Sequence, residues 1–481
     1  MKTVDLAVVG SGFGGLVAAS LGARSGLEVS LFERHSRPGG CAGDFALGGF
    51  WFPAGATVVT GLEDGGILRQ VFDTLGERVD SARLDPSITF HVGGAVGLPY
   101  SADVEAWKAT LRGTFAGGER YDGFWDWTHQ VGGEVYRIGA HLPSLPLQQF
   151  SDVRRTARAF APSVVRLVPL LNSTLDSVKA RLGAFGEPAI DGMIDSLLMD
   201  ATGAPARECS AIQGAIALDL YRRGCQWVEG GTGALAMKFV RSIRSSGGTV
   251  RFNSAVSSLR RDEHTWELRV DGEVMRARTV IANVPPAALD RLLGRKVRPT
   301  TARDSWGAFV LHLGIDSSGL DSLTPFHQVV PGEGRPSTLV SIFPSRKRGQ
   351  GRWSISVSTH VRAGDWRSFP AHIACKRRAT EELLIGNVEQ VIPDIRERTI
   401  VRRSATPATF ERFTGRPGGF VGGLIQRPNV VALRAPGHRP ERRLFLAGDH
   451  VFPGQGTVGT SLSGINAYRD AIESLGGKPL L

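Results

Sequence analysis

Val4 to Glu33, VDLAVVGSGFGGLVAASLGARSGLEVSLFE, is the stretch from which the rest of the chain can be read. Leu6 to Val9 is a short apolar run that predicts a buried parallel strand, and Gly10, Gly12 and Gly15 then follow in the order G-x-G-x-x-G. The first glycine makes a tight turn and the second lets backbone N–H groups approach a pyrophosphate. The third lets the following helix pack closely on the sheet. Small residues continue that helix at Ala18, Ala19, Gly22 and Ala23. A second strand, Val29 to Phe32, ends in Glu33, whose carboxylate is placed to accept hydrogen bonds from adenosine ribose hydroxyls. An acid here, rather than a basic residue, argues against a 2'-phosphate.

Arg37-Pro38-Gly39-Gly40 comes just after the acid, where a second bare-backbone turn and a fixed cation would border the same pyrophosphate. An ordinary nicotinamide dehydrogenase has no need of it. The arrangement resembles the FAD-binding signature of the amine oxidase and phytoene desaturase superfamily, and Gly14 and Arg34 fall within the same cradle.

Composition sets the outer limits. With 481 residues and 42% hydrophobic content, the chain is long enough for two or three domains. Four widely spaced cysteines, Cys41, Cys209, Cys225 and Cys375, form no C-x-x-C pair, so neither a disulfide framework nor a metal site is expected and a reducing cytosol is the default. The first strand begins within a few residues of Met1, which leaves no room for a secretory signal, and no run of about 20 apolar residues predicts a membrane span. The net charge of +11 points to an anionic partner. Without a basic helix interleaved with aromatics or a nucleic-acid motif, an acidic membrane leaflet fits better than nucleic acid.

Phe45 to Gly55 reads as strand, turn and strand. Ala102 to Tyr221 reads as mainly helical, with Trp107, Phe115, Phe124, Trp125 and Trp127 early in it. Within it, Phe150 to Phe185 carries Arg154, Arg155, Arg158 and Arg166 between apolar residues. An amphipathic basic helix of this kind lies in a headgroup plane, while a helix packed on the protein's own core with its arginines in solvent has the same pattern. Pro162 and Pro169 break it into short pieces. A helix is expected from about Gly230 to Ser245, then a strand from Thr249 that ends at Val256. Trp266–Val270 and Val274–Ala277 read as a hairpin around Asp271-Gly272, and Thr279 to Ala282, followed by Asn283, returns the chain to the main sheet. AFVLHLGID, HQVV, STLVSIF and WSISVSTHV, between Trp306 and His360, alternate with period two and predict an antiparallel sheet. Leu444 to Ala447 is a last apolar strand, ended by Gly448-Asp449, and FPGQGTVGTSLSG runs into a helix to about Ile472. An acid at a strand's carboxyl end suits a ribityl hydroxyl, and the positive end of the final helix favours the negative charge of a reduced flavin. Two glycine-rich strand-to-helix turns at opposite ends of one chain fit one long ligand.

GSGFGGLVAASLGARSGLEVSLFERHSRPGG, ATVVTGLEDGG, VEGGTGAL, TPATFERFTGRPGGFVGG and AGDHVFPGQGTVGTSLSG occur in the order found in the carotenoid desaturase and carotenoid isomerase family, which the chain resembles. ATVVTGLEDGG and FPGQGT are most similar to the C-3',4' desaturases and prolycopene isomerases. The Asp449 turn departs from the HPGxG turns of the four-step phytoene desaturases. The resemblance implies an α/β fold: a Rossmann-type, glutathione reductase-like FAD-binding domain assembled from residues 1–101, 222–300 and 421–481. A helical insertion, 102–221, and an antiparallel-sheet substrate domain, 301–420, complete it. It implies flavin contacts from Gly55, Ala56 and Thr57, an adenine contact from Val256, and cofactor contacts from Asn283, Gly448, Asp449, Gly456 and Thr457. His450, beside Asp449, is a candidate proton carrier or a turn-capping residue. The implied chemistry is hydride transfer from an allylic C–H of a carotenoid to flavin N5, with little acid–base help because the cation is delocalised over the polyene. Oxygen or a membrane quinone would reoxidise the flavin, and the location would be cytoplasmic and peripheral to a membrane. A cis–trans isomerase using reduced FAD, a flavin amine oxidase and a non-catalytic prenyl-binding escort are the alternatives on the same scaffold.

Overall fold

A computed structural model describes residues 3–159, 162–297, 306–320, 322–332, 335–344, 351–430 and 435–481. Thr3–Val9 lies between two parallel neighbours, Val29–Phe32 and Glu273–Ala282. Thr249–Arg251 extends the sheet beyond Val29–Phe32, and Leu444–Leu446 lies beyond the second half of Glu273–Ala282, both also parallel. Thr3–Val9 and Val29–Phe32 are buried on both faces: helices Phe13–Arg24, Gly231–Ser245 and Gly456–Ser474 cover one, and Leu259, Trp266, Leu268 and Val270 pack on the other. Helix Phe13–Arg24 is buried from Phe13 to Ala23, packed between the sheet and helices Gly231–Ser245 and Gly456–Ser474. The central parallel sheet is thus built from segments hundreds of residues apart, as expected of a discontinuous Rossmann-type fold.

Two local expectations are corrected here. Glu273–Ala282 is one continuous strand rather than two. Its first half pairs antiparallel with Trp266–Val270 and its second half pairs with Leu444–Leu446, so a change of partner along one edge replaces the expected break. Val256 does not end the strand from Thr249 but opens Val256–Arg261, where it faces Val270. Asn253 turns the chain between them with φ of 53°, a left-handed conformation that asparagine tolerates.

The second sheet runs in the order Thr399–Ala405, Trp306–Asp316, Arg352–Arg362, Thr338–Pro344, Phe326–Val330, Thr89–Val92, Ala95–Pro99. Every neighbouring pair is antiparallel except Thr89–Val92 with Phe326–Val330. The hairpin at 89–99, expected within the first cofactor-binding segment, is therefore hydrogen-bonded into this sheet. Alternation decides the two faces. Phe309, Leu311, Leu313, Ile355 and Val357 pack with Leu384, Ile385 and Val388 of helix Pro370–Val388, while Val310, His312 and His360 face the other way. The helical region centres on Tyr100, Trp107, Phe124 and Trp125: Tyr100 and Trp107 meet Phe90 of the sheet, and Trp125 packs edge-to-face on Trp107 and Phe124.

The basic stretch is helix Phe150–Ala159, a 3₁₀ segment Pro162–Leu170 and helix Leu175–Arg181; Pro162 opens the 3₁₀ segment, whereas Pro169, expected to break the chain, lies inside it. Arg154 and Arg166 are exposed, whereas the side chain of Arg158 lies outside the described residues. Arg155 belongs neither to solvent nor to lipid. It is buried and pairs with Asp470 at 3.2 Å and Glu473 at 2.5 Å on the final helix. Arg439 joins the same cluster, 2.7 Å from Asp152 and 2.6 Å from Asp470. Burial by itself would raise the Asp152 carboxyl, but hydrogen bonds from Arg439, the Gln148 N–H and Ser144 hold it well below the usual carboxylate range. Asp152, His438 and Asp470 have the spacing of a metal trio, yet Arg439 and Arg155 already occupy the two carboxylates.

Asp152→Asn leaves two buried guanidiniums short of a counter-charge and should destabilise the protein by about 3–5 kcal/mol at pH 7 in urea unfolding. A depressed carboxyl contributes stability above its unfolded pKa of about 3.9 and loses it as pH falls through the folded value, so the gap between variant and parent should narrow below about pH 4. Equal stabilities at pH 7 would contradict the anchoring role.

Candidate functional site

The carboxyl ends of the parallel strands and the inner face of the second sheet enclose one cavity of about 1570 Å³. That exceeds the ~300–1,000 Å³ suited to one drug-sized ligand, which leaves room for a long nucleotide and a second molecule. One half of its wall is glycine-rich backbone. The other is mostly side chains from the second sheet and from helices Pro188–Thr202 and Ala211–Gly224, among them Val310, Leu339, Met199, Ala201, Leu220 and Tyr221.

Gly10, Gly12 and Gly14 line the glycine-rich half, and Gly15 does not. Gly15 serves packing, since a Cβ there would lie 2.3 Å from the Gly10 carbonyl oxygen. Gly10 has φ of +95°, and its missing Cβ would sit 2.6 Å from the Asn283 carbonyl oxygen. Glu33, at the end of its strand, accepts from the Ser11 N–H at 2.8 Å, the Ser11 hydroxyl at 2.6 Å and the His35 N–H at 2.9 Å. These bonds fix the carboxylate beside the first turn, and Oε1, which accepts only from His35, keeps lone-pair capacity for a further donor. The Gly39–Gly40 turn lies directly on that loop: the Gly39 N–H donates to the Ser11 carbonyl at 2.8 Å, and a Cβ on Gly40 would meet Gly12 Cα at 3.2 Å.

The cations here are not free point charges. Arg37 reaches the cavity wall but donates to Asp44 at 2.7 Å and stacks over Trp51 at 4.6 Å. Arg34 donates to the Phe413 carbonyl. Gly55, Ala56 and Thr57 line the cavity together. The Ala56 N–H donates to the Cys41 carbonyl at 2.9 Å, and the Thr57 hydroxyl accepts from Ser341 of the second sheet at 3.0 Å. Val256 and Asn283 also line it, as do Gly448, Asp449, Gly456 and Thr457 from the far end of the chain. Asn283 connects the two ends: its N–H donates to the Val9 carbonyl at 2.8 Å and its Nδ2 to the Ala447 carbonyl at 3.0 Å. The Thr457 hydroxyl donates to the Thr60 carbonyl at 2.9 Å and accepts from the Thr60 N–H at 3.1 Å, which joins the final helix to the 55–60 loop.

Asp449 is held by a partner not foreseen from the sequence. Both its oxygens accept from one Arg416 nitrogen, at 2.9 and 2.7 Å, and Arg416 is itself buried. Burial would raise the Asp449 carboxyl, but Arg416 outweighs it and keeps the pair ionised. The available signal was repetition, since Arg416-Pro417-Gly418-Gly419 duplicates Arg37-Pro38-Gly39-Gly40. His450 lies 3.4 Å from Asp449, edge-on to Phe420, and burial lowers its pKa to about 4. Burial likewise lowers His312 and His360 to about 4, so His312, His360 and His450 are neutral at pH 7. Asp200 and His360 also line the cavity, and no motif marked either of them.

The residues present fit a flavin dinucleotide. Asn283 Oδ1 is buried without a hydrogen-bond partner, and bare backbone at Gly10, Gly12 and Gly40 lines the cavity where a nucleotide would approach. Helix Gly456–Ser474 opens on the cavity with its first-turn N–H groups, the positive end of its dipole.

Comparison with known proteins agrees with this geometry. A family profile described as "Flavin containing amine oxidoreductase" matches residues 13–472. Among curated relatives, a chloroplastic prolycopene isomerase of Arabidopsis thaliana is 23% identical, covering 98% of this chain and 83% of its own length. A zeta-carotene-forming phytoene desaturase of Myxococcus xanthus is also 23% identical, covering 94% and 90%. Among solved structures, a wild-type putrescine oxidase bound to putrescine superposes with a TM-score of 0.67 at 15% identity, covering 99% of each chain.

Gly10→Val places a branched side chain against the Asn283 backbone at a left-handed φ. The purified variant should lack the yellow flavin absorbance of the parent, while Gly113→Ala, with open space around its Cβ, should retain it. A Gly10→Val protein with full flavin content would contradict this placement of the cradle.

Proposed function

Because the chain belongs to the flavin-containing amine oxidoreductase family, we propose that it is an FAD-dependent enzyme that introduces a double bond into a carotenoid, of the C-3',4' desaturase type. One observation carries this reading. The cradle and an apolar chamber are a single cavity, and His312, His360 and His450 on its wall are neutral, so a hydrocarbon entering it meets no unpaired cation from them. FAD, when bound, supplies the two-electron acceptor.

The chain's own groups do the rest. The turn at Gly10–Gly14 and the helix behind it would bind the pyrophosphate, Glu33 the adenosine ribose, and Asp449, kept ionised by Arg416, the ribityl chain. The amino end of helix Gly456–Ser474 would favour negative charge on the reduced ring. Val310, Leu339, Leu220 and Tyr221 would exclude water beside the polyene. Oxygen or a membrane quinone would accept the electrons afterwards.

Cis–trans isomerisation with reduced FAD is the second reading. It is favoured by the alignment of the Arabidopsis thaliana prolycopene isomerase over 98% of the chain. The surface supports delivery of either substrate from a membrane. Leu147, Phe150, Val153, Val165 and Val168 are exposed apolar side chains in the stretch that also exposes Arg154 and Arg166. Among the described residues no helix is long and apolar enough to cross a membrane.

Anaerobic mixing of the flavoprotein with carotenoids tests the reaction. Desaturation predicts bleaching of oxidised flavin with a red-shifted polyene spectrum. A cis–trans change that needs pre-reduced flavin supports the isomerase, and bleaching by amines alone removes both readings. For the surface, Phe150→Asp with Val165→Asp should lower co-sedimentation with anionic phospholipid vesicles at least several-fold while leaving flavin content unchanged. Unaltered sedimentation would remove this stretch as the contact.

A further inference from the structure

Asp200 is an unusual group for an apolar chamber. It sits near the end of helix Pro188–Thr202, and its carboxylate lines the cavity together with His360 of strand Arg352–Arg362. Their side chains are 16% and 22% exposed, and both residues line the cavity. His360 Nδ1 lies 3.4 Å from Asp200 Oδ1, whereas Oδ2 is buried with no hydrogen-bond partner. A carboxylate oxygen left unsatisfied in a dry site is costly to a fold unless it has another use. The Asp200 carbonyl accepts from Gln455 Nε2 at 3.2 Å, and Gln455 is the residue immediately before helix Gly456–Ser474. The acid is thereby tied to the turn that opens the flavin-facing helix.

We propose that Asp200, positioned by His360, takes up the proton that dehydrogenation of the polyene releases. This inference rests on the desaturase reading above. Forming a C=C bond removes hydrogen from two adjacent carbons. One leaves as hydride to the oxidised flavin. The other leaves as a proton, and its C–H electron pair becomes the new π bond. Delocalisation over the polyene makes that proton easy to lose, but a water-free cavity still has to provide a base to receive it. The Asp200 carboxyl group, which lines the cavity, is the receiving group.

The groups facing Asp200 are consistent with this use. His360 is neutral, and Tyr221, from helix Ala211–Gly224, has its hydroxyl pushed well above its ordinary range by burial and by Asp200. The Arg416–Asp449 pair and His450 lie across the same cavity. Burial raises the Asp200 carboxyl to about 7, so the site holds a poised acid–base couple near neutral pH.

The test uses the FAD-loaded full chain. Wild-type kcat for polyene desaturation should rise with pH along a limb near 7, and Asp200→Asn should lower kcat at pH 8 on the order of 10²-fold and abolish that limb while FAD content stays at parent level. His360→Gln should move the limb without removing it. The second readout needs no turnover. Between about pH 4 and 7 the folded state binds the Asp200 proton more tightly than the unfolded chain does, so stability falls as pH rises across that window. Asp200→Asn lacks this slope, and its Tm relative to wild type should climb from pH 5 to pH 8. Wild-type turnover combined with an Asp200→Asn profile that keeps the limb would overturn the assignment, as would a Tm difference independent of pH. Absence of any polyene desaturation by wild type would instead overturn the reading on which the assignment rests.

Discussion

Close backbone packing around Asn283 is the constraint on which the rest of this structure depends. A Cβ on Gly10 or Gly12 would lie 2.6 Å from an Asn283 oxygen, and one on Gly448 would lie 2.7 Å from its Nδ2. A Cβ on Gly14 would be 2.9 Å from the Gly448 N–H, and one on Gly464 would be 2.4 Å from the Gly14 carbonyl. Strands from the beginning, middle and end of the chain can meet here only because those side chains are missing. The same missing side chains leave bare backbone at Gly10, Gly12, Gly14 and Gly448 on the cavity wall. One packing solution therefore closes the core and opens the cradle.

Around this junction, buried charge is handled in two ways. Arg416 with Asp449, and Arg439 with Asp152 and Asp470, are buried pairs that hold these carboxylates below their usual range, and Arg37 with Asp44 is a partly exposed pair. Such pairs make the binding surface rigid without making it reactive. Asp200 lacks a matched cation, since the neighbouring His360 is neutral. A static charge suits the gripping of a nucleotide, whereas a group that must exchange a proton has to be held near its own titration point.

The chamber beside the cradle follows from alternation on the second sheet. Phe309 and Leu311 feed the core under helix Pro370–Val388, which leaves Val310 and His312 on the opposite face. That face needs a covering layer. The helices at 188–202 and 211–224 supply part of it without filling the space, and Asp200 and Tyr221 come to the cavity from those helices. The insertion thus completes the wall opposite the glycine turns.

The sequence alone determined the dinucleotide cradle, the flavin signature, the alternating second sheet and the change of segment at Pro162. Each of these is written in residues near one another, where a turn needs bare backbone, a strand needs period two and a helix cannot continue through proline. Only the tertiary structure decided which partner Asp449 takes, that Arg155 turns inward to the final helix, that Val256 opens a strand rather than closing one, and that Asp200 meets His360. Those outcomes join positions as far apart as Asp200 and His360 or Arg155 and Asp470. The sign and burial of a charge depend on what the fold brings against it, and spacing along the chain carries no record of that.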